Sequence, residues 1–126
     1  MKTIIQRVKQ ASVRIENKIQ GEIGSGLLVY VCFEIGDTHD DILAAVDKIT
    51  KLRVFEDESQ KMNLNVQETG GSILSISQFT LSWDGRKGHR PSFDRSMPPS
   101  NAKIMYHTFN KELQNQMMKV QTGIFG

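Results

Sequence analysis

The chain has 126 residues and a mass of 14.3 kDa, which fits one domain, since domains usually run to about 100–200 residues. Its single cysteine, Cys32, excludes an internal disulfide, and with three scattered histidines it offers too few ligands for a four-ligand zinc site. The longest apolar run, Leu27 to Phe33, has seven residues, whereas a membrane helix needs about 18. Charges at Lys2, Arg7 and Lys9 interrupt any secretory apolar segment, so we expect a soluble cytoplasmic protein.

The charge is nearly balanced overall, but it is distributed unevenly along the chain. Residues 1–60 carry 8 basic and 10 acidic side chains, whereas residues 61–126 carry 8 and 4. Ordinary variation of surface charge explains this difference as well as a single basic face does, so both interpretations stay open.

Short β-branched segments begin the chain. Thr3 to Val8 and Ala11 to Glu16 are predicted strands, and Asn17-Lys18 before Ile19 indicates the turn of a hairpin. Leu27 to Phe33 is apolar throughout, which is typical of a central strand buried on both faces.

An amphipathic helix is predicted next. Asp37 or Thr38 provides an oxygen that can cap its first turn. Strand-like pieces at Val54-Phe55 and Met62 to Val66 follow, and Gly70-Gly71 breaks the chain again. The apolar residues that recur at helical spacing are Ile42, Val46, Ile49 and Leu52.

The second half begins with the strongest strand prediction, Ser72 to Leu81, in which alternation places Gln78 and Thr80 on the face of Leu74 and Ile76. Residues 84–101 are predicted to form a loop. Pro98-Pro99 can begin a second helix, and Lys119 to Phe125 is the last predicted strand. The expected buried stripe of the second helix is Met105, Phe109, Leu113 and Met117.

Helices separated by groups of strands predict an α+β fold with a barrel-like, mostly antiparallel sheet and two packed helices, in a single domain over residues 1–126. A doubly wound parallel sheet is disfavoured. No glycine-rich phosphate loop of the Walker or Rossmann type follows any predicted strand.

Two polar features are candidates for a functional site. Gln78 and Thr80 converge where a buried strand meets a loop, and a buried polar group without a partner costs about 1–3 kcal/mol, so such groups are satisfied internally or kept for a ligand. Arg86, Lys87 and Arg90 follow in the segment 85–91, which contains no acid, and arginine suits phosphate. The alternative interpretation of Gln78 and Thr80 is a strand whose polar end simply reaches the surface at a loop. The alternative interpretation of the basic segment is an ordinary solvated loop.

The sequence contains no recognisable catalytic triad. A nucleophilic Thr80 would need a nearby base, but His39, His89 and His107 lie in no known motif. Cys32 falls within an apolar strand, where a buried thiol keeps a high pKa, so we expect an inert core residue.

Seven segments, in order and in spacing, resemble the D-aminoacyl-tRNA deacylase family over nearly the whole chain. They are Ile5-Gln6-Arg7-Val8 with Ala11-Ser12-Val13, Gly26-Leu27-Leu28-Val29, Leu52-Arg53-Val54-Phe55-Glu56-Asp57, Lys61-Met62-Asn63-Leu64, Ser77-Gln78-Phe79-Thr80-Leu81, Arg86-Lys87-Gly88 with Arg90-Pro91-Ser92-Phe93, and Thr122-Gly123-Ile124-Phe125-Gly126.

The resemblance implies a homodimeric, cytoplasmic esterase that needs no metal or other cofactor. Such an enzyme removes D-amino acids, and also glycine mischarged on tRNA-Ala, from the 3′-terminal adenosine at the acceptor end of tRNA. Its two active sites would lie at the dimer interface of a barrel-like α+β fold.

The resemblance also implies roles for individual residues. Ser77, Gln78, Phe79 and Thr80 would form the catalytic segment, with either Thr80 as nucleophile or the 2′-hydroxyl of the substrate assisting while backbone amides position the ester. We favour the second, because no base is identifiable for Thr80. The residues that would bind or support the substrate are Arg7, Phe125, Arg86, Lys87 and Arg90.

One feature of the family is missing from this sequence. Members continue past the Thr-Gly-x-Phe-Gly segment to an Asn-x-Gly-Pro motif with a cis Gly-Pro bond that enters the active site of the partner. This chain has prolines only at positions 91, 98 and 99. We therefore expect the natural chain to continue beyond Gly126, and the alternative function is an inactive tRNA-binding module of the same fold.

Overall fold

The computed structural model describes residues 1–86 and 88–126. Lys87, one of the predicted phosphate contacts, lies outside the described residues. Eleven elements follow one another in the described part of the chain. They are β1 Lys2–Val8, β2 Ala11–Ile15, β3 Lys18–Ile23, β4 Gly26–Cys32, α1 His39–Lys51, β5 Phe55–Glu56, β6 Met62–Leu64, β7 Ser72–Ser77, a 3₁₀ helix Phe79–Ser82, α2 Pro99–Asn115 and β8 Lys119–Thr122.

The main sheet has four strands in the order β1-β4-β7-β8, and the hairpins β2-β3 and β5-β6 form two smaller sheets. The α+β class with two helices is confirmed. The prediction of a mostly antiparallel, barrel-like sheet is wrong for the main sheet, because only β1-β4 is antiparallel, and β1 does not pair with β8 among the described residues. Each parallel pair is joined through a helix, which is the long crossover that parallel strands require.

Strand β4 is the centre of the fold. Leu27, Val29 and Val31 are fully buried, and β1 and β7 pair with its two edges. The predicted central strand is therefore confirmed. Helices α1 and α2 pack against each other, and the core cluster includes Ile42 and Phe109 from them.

The predicted hairpin near the start of the chain forms between β2 and β3, but its turn lies one residue earlier than expected. Glu16 and Asn17 have φ of 49° and 64°, and Lys18 already begins β3. Two consecutive residues with positive φ make the tight turn whose twist matches that of paired strands.

Both helices begin where the sequence indicates. Thr38 caps α1, with its N–H donating to Asp41 Oδ2 over 2.7 Å, and Pro98-Pro99 opens α2. The predicted stripe of α2 is wrong at its end, because Met117 is 92% exposed and Met118 is buried instead. Met117 has a φ of 62°, so the chain leaves the helix before that position and the helical spacing no longer applies.

The strand prediction for Ser72 to Leu81 is wrong beyond Ser77. The N–H of Gln78 donates to the carbonyl of Val31 over 2.8 Å, after which the neighbouring strand β4 ends at Cys32. The next four residues form the 3₁₀ helix, with bonds from Leu81 N–H to Gln78 O and from Trp83 N–H to Thr80 O. In the described part of the chain no helix has the length and apolar character to span a membrane.

The start of β4 provides a test of the strand packing. A Cβ atom added to Gly26 would lie 1.9 Å from the backbone oxygen of Ser72, whereas one added to Gly24 would meet nothing within 4 Å. We expect Gly26→Ala to lower the free energy of unfolding by at least about 2 kcal/mol, because backbone must move to relieve the overlap. Gly24→Ala, the matched control, should change it by less than about 0.5 kcal/mol. Urea unfolding of both variants measures this, and equal stabilities would contradict the close approach of β4 and β7.

Candidate active site

A cavity of about 600 Å³ lies at the carboxyl ends of the neighbouring parallel strands β4 and β7. Ligands commonly bind at this edge of a parallel sheet. Its wall comes from the end of β4, from Ser77–Phe79, from the loop before α2, from the first turn of α2 and from Ile124–Gly126. Segments distant in the sequence therefore meet at one site of ligand size.

The two polar residues singled out in the sequence are together at this site. Gln78 lines the cavity, and its Nε2 donates to Thr80 Oγ1 over 2.6 Å. The 3₁₀ turn brings them together, rather than the predicted alternation along a strand. Ser77 and Phe79 also line the cavity, whereas Thr80 is exposed and lies outside its wall.

Backbone amides are the notable donors of this segment. The N–H of Gln78 is already bonded to Val31, but the N–H groups of Phe79 and Thr80 have no acceptor in the described part of the chain. They open a helical turn, whose first amides lack partners within the helix. The catalytic segment thus has two adjacent backbone donors, the N–H groups of Phe79 and Thr80, without an acceptor among the described residues.

Aromatic rings surround the cavity. Phe79 and Phe93 meet edge to face with centroids 5.1 Å apart, and Phe125 lies 5.8 Å from Tyr106 of α2. Phe79 is 56% exposed although it is large and apolar. Exposed aromatic faces of this kind can stack on a planar base.

Cys32 is the one readily titrating side chain that the described cavity wall contains. It is 1% exposed, and its Sγ donates to the carbonyl of Phe79 over 3.4 Å. Burial, and then the nearby carboxylate of Glu34, raise the pKa of this thiol. The prediction that Cys32 is buried is confirmed, but its position in the cavity wall was not predicted from the sequence.

Arg7 is not brought to the cavity. Arg7 of β1 pairs with Leu27 of β4. Ser77 of β7 pairs with Val31 of β4, which pairs with Thr3 of β1, so Arg7 lies about 13 Å along β1 from the position level with Ser77. Its guanidinium instead donates to the carbonyl of Val54 over 2.7 Å and lies 3.6 Å from Glu56.

The loop of residues 84–98 contributes apolar side chains to the cavity wall, and its arginines stay outside that wall. Arg86 and Arg90 are exposed and do not line the cavity, and Arg86 Nε lies 3.5 Å from Asp84 Oδ2. Phe93 and Met97, which sequence reasoning did not assign to the site, line it instead. Long-range bonds hold them there, such as Met97 N–H to the carbonyl of Phe33 over 3.0 Å.

The three histidines lie away from the cavity wall. His39 Nε2 is 3.3 Å from Glu112 Oε1, and His89 and His107 are exposed. None of them lies beside the hydroxyl of Thr80 in the contacts of the described residues.

The fold and the cavity together define an α+β protein with a largely apolar site of ligand size. Comparison with known proteins gives the family. Residues 4–126 match the model described as D-Tyr-tRNA(Tyr) deacylase. The chain belongs to this family.

Relatives named D-aminoacyl-tRNA deacylase cover the chain almost end to end. The protein of Staphylococcus carnosus is 51% identical over 126 residues, all of this chain and 83% of that protein. The protein of Halothermothrix orenii is 48% identical over 125 residues, 99% of this chain and 84% of that protein. The chain therefore spans more than four-fifths of the length of these relatives.

Two solved structures share the fold. The c-Myc DNA Unwinding Element Binding Protein superposes with a TM-score of 0.94 at 36% identity, covering 100% of this chain and 86% of the other. A structure described as that of "a probable eukaryotic D-amino acid tRNA deacylase" has a TM-score of 0.75 at 19% identity, covering 90% and 66%.

Cys32 provides a test of the cavity wall. Because burial raises the pKa of the thiol, less thiolate is present at any given pH, and we expect alkylation of the folded protein by iodoacetamide to begin at a higher pH than that of the urea-unfolded chain. Mass spectrometry at a series of pH values measures the midpoint. A midpoint equal to or below that of the unfolded chain would contradict a buried thiol.

Proposed function

We propose that this chain hydrolyses the ester bond of D-aminoacyl-tRNA and releases the free D-amino acid and tRNA. The observation that carries the proposal is the match to the deacylase family over residues 4–126. The relatives named D-aminoacyl-tRNA deacylase, at 45% to 51% identity, support the same activity.

We place the reaction in the 600 Å³ cavity. The terminal adenine would stack among Phe79, Phe93 and Phe125, and the ester would lie beside the free amides of Phe79 and Thr80. This orientation is supported because Phe79, Phe93 and Phe125 all line the cavity, and Thr80 directly follows Phe79 in the 3₁₀ helix.

The amides would act on the charge that develops during the reaction. Attack of water on the ester carbonyl gives a tetrahedral intermediate with a negative oxygen, and its collapse expels the 3′-oxygen of the ribose, which takes up a proton. Fixed N–H donors aimed at such an oxyanion typically accelerate acyl transfer by about 10²–10³ each.

Thr80 is a poor candidate for the nucleophile. Its oxygen accepts a hydrogen bond from Gln78, and the described residues place no base beside it. Donation to a hydroxyl oxygen withdraws electron density from it, whereas a nucleophile needs a group that removes its proton. The 2′-hydroxyl of the substrate, next to the ester, is the better candidate to assist the attacking water.

Several finer features are part of the proposal. Glycine on tRNA-Ala would be accepted, because glycine has no side chain for a chiral site to reject. Exposed apolar side chains at the cavity, Phe79 at 56% and Ile124 at 62%, favour a homodimer that covers them. We place the enzyme in the cytoplasm, where its substrate is made.

The basic residues would act on the RNA backbone. Arg86, Lys87 and Arg90 would contact phosphates of the acceptor end, which adds affinity that depends on salt. Among the described residues Arg7 contacts Val54 and Glu56 rather than the catalytic segment, so its support of that segment stays a prediction for the dimer.

The proposed activity is tested with D-Tyr-tRNA and L-Tyr-tRNA as matched substrates. We expect release of D-tyrosine under single-turnover conditions and at least a 100-fold slower release of L-tyrosine, on the order of the discrimination a fitted pocket achieves. Binding of tRNA without release of either amino acid would contradict the proposal and favour the inactive binding module.

Gln78 provides a test of the catalytic segment. We expect Gln78→Ala to slow D-Tyr-tRNA hydrolysis about fivefold, because loss of one hydrogen bond worth about 1 kcal/mol loosens the turn that aims the amides. Gln6→Ala, at an exposed position of β1, is the matched control and should keep the rate. An unchanged rate in Gln78→Ala would remove this side chain from the mechanism.

Thr80→Val separates the two mechanisms. We expect less than a tenfold change in the single-turnover rate, since the hydroxyl does not attack. A loss of about 10⁴-fold or more, as when an essential nucleophile is removed, would establish Thr80 in that role.

A further inference from the structure

Tyr106 lies in the middle of α2 and is only 3% exposed. It does not line the cavity at the carboxyl ends of β4 and β7, and the proposed chemistry gives it no role. Its side chain nevertheless contacts two segments that lead into the wall of that cavity. The hydroxyl contacts β7, and the ring contacts Phe125, which follows β8.

The hydroxyl of Tyr106 holds β7 just before the catalytic segment begins. It donates to the carbonyl oxygen of Ser75 over 2.7 Å, and Ser75 precedes Ser77 by two residues. Burial raises the pKa of Tyr106 above its ordinary value, so the phenol keeps its hydrogen at neutral pH and remains a donor. This bond therefore ties the end of β7 to α2.

The tie lies where the main sheet narrows. Ser75 pairs with Thr122 of β8, and the register between the two strands ends at that pair. In the described part of the chain, Ile76 and Ser77 are therefore paired on the β4 side only. The hydroxyl of Tyr106 thus supports β7 at the point where one of its two neighbours ends.

The ring of Tyr106 supports the other segment. Its centroid lies 5.8 Å from that of Phe125, with the two ring planes inclined by 40°. Residues 123–126 make no backbone–backbone hydrogen bond to any described residue, so side-chain packing has to fix their position. Phe125 is a wall residue of the cavity and Tyr106 is not, so the phenol ring supports the wall without reaching the ligand space.

We propose that Tyr106 is a positioning residue for the hydrolysis. Its hydroxyl fixes the end of β7 and, through it, the amides of Phe79 and Thr80, while its ring fixes Phe125 against the terminal adenine. One side chain thereby sets the distance between the oxyanion donors and the wall that holds the base. The proposal rests on the proposed function and deepens it, because Tyr106 touches neither the substrate nor the reacting atoms.

The relative placement of these two groups matters for the rate. The base anchors the substrate, and the amides act on an oxygen at the other end of the same nucleoside. A misplacement of about 1 Å by a change away from the chemistry can cost about 10²-fold in rate. A residue that holds both segments is therefore expected to affect catalysis beyond its effect on stability.

Tyr106→Phe tests the hydroxyl, because this variant keeps the buried ring. We expect the single-turnover rate at saturating enzyme to fall about fivefold on D-Tyr-tRNA, the equivalent of one hydrogen bond worth about 1 kcal/mol. The enzyme concentration that gives half of this rate should stay unchanged, because the base wall is intact. D-tyrosyl-adenosine should show the same loss, since the effect acts on the terminal nucleoside.

Tyr106→Leu removes the ring as well. Compared with Tyr106→Phe, it should raise the half-saturating enzyme concentration by about fivefold, within the range that an aromatic pair contributes. A binding readout without catalysis uses uncharged tRNA whose terminal base is 2-aminopurine, because stacking quenches the fluorescence of this base. Tyr106→Phe should keep the wild-type affinity in this titration, and Tyr106→Leu should bind about fivefold more weakly.

Tyr30→Phe and Tyr30→Leu are the matched controls, because Tyr30 is a half-buried tyrosine of β4 outside the cavity wall. Both should keep the wild-type rate and half-saturation. Urea unfolding separates a structural role from a positioning role. A Tyr106→Phe variant that loses stability but hydrolyses at the wild-type rate while folded would overturn the proposal, and so would equal losses in the Tyr106 and Tyr30 variants.

Failure of this proposal is distinguishable from failure of the proposed function. A wild type that hydrolyses neither D-tyrosyl-adenosine nor D-Tyr-tRNA overturns the activity, and the positioning role with it. A wild type that hydrolyses both, beside a folded Tyr106→Phe that matches Tyr30→Phe, overturns the positioning role alone. Tyr106→Phe decides the proposal even where Tyr106→Leu fails to fold, since it retains the buried ring.

Discussion

The hydrogen bond from Gln78 N–H to the Val31 carbonyl is the contact on which the candidate site depends. Among the described residues it is the last backbone–backbone bond that joins the segment of β7 to β4, and β4 ends one residue later at Cys32. Beyond it the chain can no longer continue as a strand and turns into the 3₁₀ helix Phe79–Ser82. The free amides of Phe79 and Thr80 follow directly from this change of structure.

The rest of the wall is held against the same end of β4. Met97 N–H donates to the carbonyl of Phe33, and Ile35 N–H donates to the carbonyl of Arg95. Glu34, which is 8% exposed, lies 3.4 Å from Lys2 and 3.7 Å from Arg95. Backbone bonds and a partly buried set of charges thus fix the loop that brings Phe93 to Phe79.

The resulting site is suited to chemistry that uses dipoles rather than proton transfer by side chains. Its described wall is mainly apolar, and its cysteine has a raised pKa. In such surroundings a fixed N–H dipole acts more strongly on a developing charge than it would in water. The proposed mechanism therefore assigns the oxyanion to the backbone and the proton chemistry to the substrate and water.

Local features of the fold were predictable from the sequence. The buried strand β4, the cap at Thr38 and the proline start of α2 depend on neighbouring residues, and all three are present. The parallel pairing was not predictable from such patterns, because strands buried on both faces look alike in either direction. The end of β7 depends on where its neighbour ends, which no local pattern in Ser72 to Leu81 reveals.

Some residues of the candidate site were likewise predictable from the sequence, and others were not. Motif resemblance identified Ser77–Phe79 and Phe125, which line the cavity. Cys32 and Phe93 were missed as wall residues, because the expected antiparallel sheet gave no reason to look at the carboxyl edge and because long-range bonds place the loop. Arg7 was assigned by resemblance, and within one chain it contacts Val54 and Glu56 instead.

The central claim is that the substrate, rather than a titrating side chain of the cavity, supplies the group that assists the attacking water. The most direct measurement is single-turnover hydrolysis of D-Tyr-tRNA ending in adenosine or in 2′-deoxyadenosine, with the amino acid on the 3′-oxygen of both. The account predicts a loss of at least about 100-fold for the deoxy substrate, the lower end of what acid–base assistance contributes. Equal rates on the two substrates would contradict it.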